Sequence, residues 1–194
     1  TDADQNVAVG MQALTRDTLG SKSTAVGFNT LADQNFTTAT DSYNTAVGNN
    51  AGGAVSTGVQ NVLIGALAGD ALTDADSNVA IGMQALSTDT LGSKSVAVGA
   101  GALETQNFTT ATDSNNTAVG YVAGVSITTG LRNTAVGSES LDATTTGSDN
   151  VAVGKGALGV NTTASNNTAV GKSALESNTT GTTNTAVGKG AMPA

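Results

Sequence analysis

Residues 6–14 read NVAVGMQAL, and residues 167–175 read NTAVGKSAL. The same phrase recurs eleven times: a polar residue, Thr or Val, usually Ala, Val or Ile, Gly, two variable positions, a small residue and often Leu. Its fourth position is β-branched every time, at Val9, Val26, Val47, Ile64, Ile81, Val98, Val119, Val136, Val153, Val170 and Val187, and glycine follows each of them. Successive glycines lie 17 residues apart, with two steps of 21, from Gly27 to Gly48 and from Gly99 to Gly120. A period of this length held without drift marks a stacked repeat.

A longer period lies over the first. TDADQNVAVGMQALTRDTLGSKSTAVG, starting at Thr1, returns at Thr73 as TDADSNVAIGMQALSTDTLGSKSVAVG, displaced by 72 residues. Residues 1–72 and 73–144 are therefore read as a duplication inside one repeat domain spanning 1–194. Both lengthened repeats carry QNFTTATDS, at Gln34 to Ser42 and at Gln106 to Ser114.

A β-branched pair around one small residue suits a short strand, and the glycine after it permits a turn with positive φ. A second turn signal stands three residues before the next phrase, at Gly20, Gly58, Gly92, Gly130, Gly147 and Gly181. Helix is disfavoured, because each interior glycine costs about 1 kcal/mol relative to alanine. The expected fold is all-β: a parallel β-roll or β-solenoid of eleven 17-residue coils, two of them lengthened by four. At about 4.8 Å per coil the rod is on the order of 50 Å long.

Alternation along a strand sends position four to one face and the Ala before it to the other. Its invariance suggests that the Val/Ile column lies inside, together with Leu14, Leu86, Leu103, Leu141, Leu158 and Leu175, leaving the Ala face for neighbouring chains to cover. Asn at position one in nine of the eleven coils is expected to form a ladder along the stack.

Composition narrows the chemistry. The 194 residues include no His, Cys or Trp, three Phe and two Tyr, so the usual general bases, thiols and zinc ligands are missing. A net charge of −8 argues against nucleic acid as a partner. There is no run of about 18 apolar residues, so no membrane insertion is expected in this segment. The opening at Thr1, without a signal-like stretch, suggests a piece of a longer fibre.

The NTAVG, NVAVG and NVAIG runs, followed by two residues and Ala or Ser, resemble the head repeats of trimeric autotransporter adhesins, whose signature is close to N-S-V-A-I-G-x-x-S. They are also similar to repeat stretches of bacteriophage tail-fibre proteins. The resemblance covers Asn6 to Met192. It implies a left-handed roll, a homotrimer, and an extracellular place on a cell surface or a virion fibre. The adhesin coil is nearer fourteen residues, so the 17-residue period departs from it.

Four features are candidates for function. Phe36, Thr37, Thr38, Phe108, Thr109 and Thr110, in the two insertions, are read as protruding contacts for a receptor, a cell-surface glycan or a neighbouring fibre; the alternative is that each Phe folds back as a plug over its own coil. Asp74, Asp76 and Asn78 begin like a calcium loop, as do Asp2, Asp4 and Asn6, but they lack its glycine and its bidentate Glu. Two Thr columns, beginning at Thr128 and Thr129, invite comparison with ice-binding solenoids. Lys155, Lys172 and Lys189 stack like charges in the last three coils. No cofactor is expected. The expectation is a non-enzymatic segment of a trimeric attachment fibre; the alternative is an ice-binding or calcium-dependent surface solenoid. A carbohydrate-processing fibre would need paired carboxylates beside aromatic platforms.

Overall fold

A computed structural model describes residues 3–192. Each phrase forms one three-residue strand, from Val7–Val9 and Thr24–Val26 to Thr168–Val170 and Thr185–Val187, and the eleven strands stack in chain order as one parallel sheet. Equivalent residues pair in register, Ala25 with Ala46 and Ala152 with Ala169. Two short parallel pairs flank the lengthened coils, Gly20–Ser21 with Thr40–Asp41 and Gly92–Ser93 with Thr112–Asp113. The described residues contain no helix. The chain is a parallel β-solenoid of eleven turns.

Left-handed backbone at fixed places closes each coil. In every coil positive φ occurs at the phrase glycine, two and four residues after it, and five residues before it, as at Gly82, Gln84, Leu86 and Ser77. The first of these turns closes with a hydrogen bond from Ala85 N–H to the Gly82 carbonyl at 3.3 Å, with positive φ at its third residue as in a type II turn. The phrase glycine has a second reason to be glycine. A Cβ on Gly154 would lie 2.6 Å from the carbonyl carbon and oxygen of Gly171 in the next coil. Neighbouring coils thus touch backbone to backbone along this column.

The strand faces are the reverse of the sequence expectation. Ala25, Ala46, Ala80, Ala97, Ala118, Ala152 and Ala169 are fully buried, and Leu63 replaces Ala in the fourth coil. The Val/Ile column from Val9 to Val187 points outward: Val47, Ile64, Val119 and Val170 are 36–37% exposed and Val187 is 70% exposed. The coil is narrow, and stacked alanines leave room for about one large side chain per turn. Leu31, Leu86, Leu103, Leu141 and Leu158 supply it four residues after the phrase glycine. Where that position is Gly52, Gly69 or Gly124, a buried Val55, Leu72 or Ile127 enters from three residues later. The β-branched position four is thus a property of an outward pleated face.

The Asn ladder is internal. Asn44 Oδ1 accepts the N–H of Asn61 at 2.9 Å while its Nδ2 donates to the Gly58 carbonyl at 2.8 Å. Asn61, Asn78, Asn133, Asn150 and Asn167 repeat the pattern. Each amide satisfies buried backbone groups of the following coil. Side chains therefore reinforce the same axial direction as the sheet.

Candidate functional site

The two insertions are built alike. In the second, the Asp89 carboxylate is fully buried and accepts from Gly92 N–H at 3.0 Å, Phe108 N–H at 2.9 Å and Gln106 Nε2 at 2.6 Å. Gln106 Nε2 also reaches Ser95 Oγ at 2.8 Å, and its Oε1 accepts from Asn116 Nδ2 at 2.8 Å. Asp17, Gln34, Ser23 and Asn44 make the matching network in the first insertion. Serine replaces the ladder Asn at Ser23 and Ser95, and glutamine from the lengthened coil takes over the link. These polar cores pin the start of each insertion.

That geometry corrects the expectation of aromatic knobs. Phe36 and Phe108 are only 6% exposed. Each ring lies over a glycine: a Cβ on Gly20 would sit 2.8 Å from Phe36 Cδ2, and one on Gly92 would sit 2.8 Å from Phe108 Cδ2. The aromatics are plugs, while Thr37, Thr38, Thr109 and Thr110 stay exposed at the loop tips. The plug was the alternative open from sequence; its seat, the absent side chain of a glycine one coil away, was not.

The other candidates are engaged within the coil stack. Asp74 Oδ1 accepts from Thr57 Oγ1 at 2.7 Å, Asp76 Oδ1 accepts from Val59 N–H at 2.8 Å, and Asn78 is a rung of the buried ladder. The three side chains therefore do not converge on a common cation. In the first copy, Asp2 lies outside the described residues. The Thr128 and Thr145 hydroxyls donate to the Thr145 and Thr162 carbonyls at 3.1 and 3.3 Å, so that column is spent on its neighbours. Thr129, Thr146, Thr163 and Thr180 remain exposed as a single file.

What stands out on the surface is the outward sheet face. The residues two before and at position four, such as Val96 and Val98 or Thr168 and Val170, make two parallel columns of Val, Ile and Thr with no charge in any coil. Beyond the glycine, at the stripe's edge, a further column holds exposed Met11, Phe28, Met83 and Tyr121 and ends in Lys155, Lys172 and Lys189. Ion pairs bridge adjacent coils beside it: Lys22 with Asp41, Lys94 with Asp113, and Arg132 with Asp149 through Nε–Oδ1 at 2.6 Å and Nη2–Oδ2 at 2.8 Å. Hydrogen bonds from Lys22 and Arg132 hold the Asp41 and Asp149 carboxyls below their ordinary range. Two acids behave oppositely: burial pushes Asp70 and Asp142 up, and Asp70 Oδ1 is buried without a hydrogen-bond partner.

No family model, curated protein or solved structure matches the chain.

Proposed function

We propose that this chain is a non-enzymatic segment of an extracellular attachment fibre, built as a left-handed homotrimer in the manner of adhesin heads or tail-fibre repeats. The observation that carries the reading is the uncharged outward stripe. Two columns of β-branched side chains extend over all eleven coils. Apolar surface of that extent favours burial at about 25 cal/mol per Å². The occupant is a second and third copy of the same chain, because a stripe with one period is matched in length and register by an identical stripe. The sequence resemblance supplies the number three.

In this assembly the solenoids are spacers that hold the Thr-tipped loops of the two insertions away from the surface that bears the fibre. Light scattering at micromolar concentration tests it: three times 18.8 kDa supports the reading, and 18.8 kDa overturns it.

A further inference from the structure

We propose that the last three coils carry a binding shelf for an acidic polysaccharide, with Lys155, Lys172 and Lys189 as its cationic rail. The proposal deepens the attachment reading by naming a ligand chemistry and its place on the rod. In-register pairing of Val153 with Val170, and of Val170 with Val187, stacks the three lysines about 4.8 Å apart, two residues after those valines. In the eight earlier coils this position holds uncharged residues, among them Met11, Met83 and Tyr121.

The adjoining column holds only Gly or Ser in these three coils, as it also does at Gly101. Where other coils carry Gln12, Asn29, Gln84 or Glu139, these have Gly156, Ser173 and Gly190. A Cβ on Gly156 would meet nothing closer than Ser173 Oγ and Glu176 Oε1, both at 3.8 Å, whereas one on Gly101 would meet Glu104 Oε2 at 3.1 Å and Val122 Cγ1 at 3.2 Å. The bare backbone of Gly156, beside Lys155, forms an open ledge. Ser173 and Glu176 offer a hydroxyl and a carboxylate at its floor, suited to sugar hydroxyls.

Charge balance points the same way. Lys155 Nζ lies 3.4 Å from Glu139 Oε2, whereas Lys172 and Lys189 form no ion pair among the described residues. The chain as a whole carries −8, so anions are not drawn to it generally. A ligand must present negative groups in a line along the rail. In a chain of uronate residues one carboxylate follows each ring, a repeat of the same order as the coil rise of about 4.8 Å. Single-stranded nucleic acid would want aromatic platforms for its bases, and the ledge has none. Several weak contacts on one strand, repeated around a fibre, would add as avidity.

Titration calorimetry with a linear oligogalacturonate at low salt tests the shelf. The parent protein is expected to bind, and the Lys172→Gln/Lys189→Gln double variant to bind at least tenfold more weakly. Gly156→Gln fills the ledge without altering charge, on a backbone that Gln12 and Gln84 already occupy at φ 63° and 57°, and should also weaken binding. Glu139→Gln should strengthen it by freeing Lys155. The proposal is overturned if the parent does not bind, if the lysine and ledge variants bind as the parent does, or if single-stranded DNA of equal charge binds as tightly. The mass of the same samples keeps the readings apart: a trimer that ignores oligogalacturonate sinks the shelf alone, and a monomer that binds it sinks the trimer alone.

Discussion

Leu63 fills the space that Gly52 leaves open: a Cβ on Gly52 would lie 2.6 Å from Leu63 Cδ1, and one on Gly69 in the next coil would lie 2.7 Å from Leu63 Cδ2. The fourth coil thus exchanges the usual Ala for Leu and draws the compensating glycines from the preceding coil and from its own. Leu63→Ala should empty this site and destabilise the fold by about 2–5 kcal/mol. Thermal melting followed by circular dichroism checks it, and an unchanged midpoint would contradict the packing.

Gly154→Ala and Gly156→Ala contrast a site with both close approach and a backbone reserved for glycine against one with neither. Both glycines have positive φ, 128° and 66°, but only the first has the carbonyl of the next coil 2.6 Å from its would-be Cβ. Gly154→Ala should cost at least about 2 kcal/mol, and Gly156→Ala about 1 kcal/mol. Equal melting points for the two variants would mean that the coils separate freely along this column.

Strand phase is tested by a neighbouring pair. Ala97 is fully buried, and an Asp there would be an unpaired interior charge costing several kcal/mol, enough to disrupt the central coils. Val98→Asp lies on the outward stripe, so the circular-dichroism spectrum should persist; on the proposed trimer the scattering mass should fall from three copies to one. Unfolding of the Val98 variant at low concentration would restore the inward reading of position four.

Asp70 should make the fold more stable in acid. Its folded carboxyl titrates above the ordinary value because burial dominates the hydrogen bonds from its own backbone and from Asn50. The folded state therefore holds the proton more tightly, and this contribution is present below the unfolded value and fades as pH rises through the folded one. Asp70→Asn should raise the melting point at pH 7 and flatten the dependence of stability on pH across the carboxylate range. Melting curves across that range decide it.

The period, the eleven coils, the parallel stack and the Asn ladder were legible because each follows from identical residues returning at one interval. Burial phase was not. Val98 and Ala97 alternate equally well either way, and invariance at Val98 looks like a core until the narrowness of the coil is known. Val55, Leu72 and Ile127 were missed as core residues, although each occurs only where the earlier Leu position is glycine. The Phe36 plug could be weighed but not placed, because its seat is the missing side chain of Gly20, 16 residues away in sequence and adjacent across the coils.

Since the sheet bonds and the Asn44-to-Asn61 type of link all run between coils, a pull along the rod loads every one of them in tension, with no strand lying along the force. The rod should yield from an end, one coil at a time, each coil giving up its own set of bonds before the next is stressed. A released 17-residue turn pays out roughly 60 Å of extended chain in exchange for about 5 Å of rod. The two longer turns would pay out more, leaving a pair of marked steps in an otherwise even series. Under load the solenoid should lengthen in small increments while the coils still stacked keep their shape.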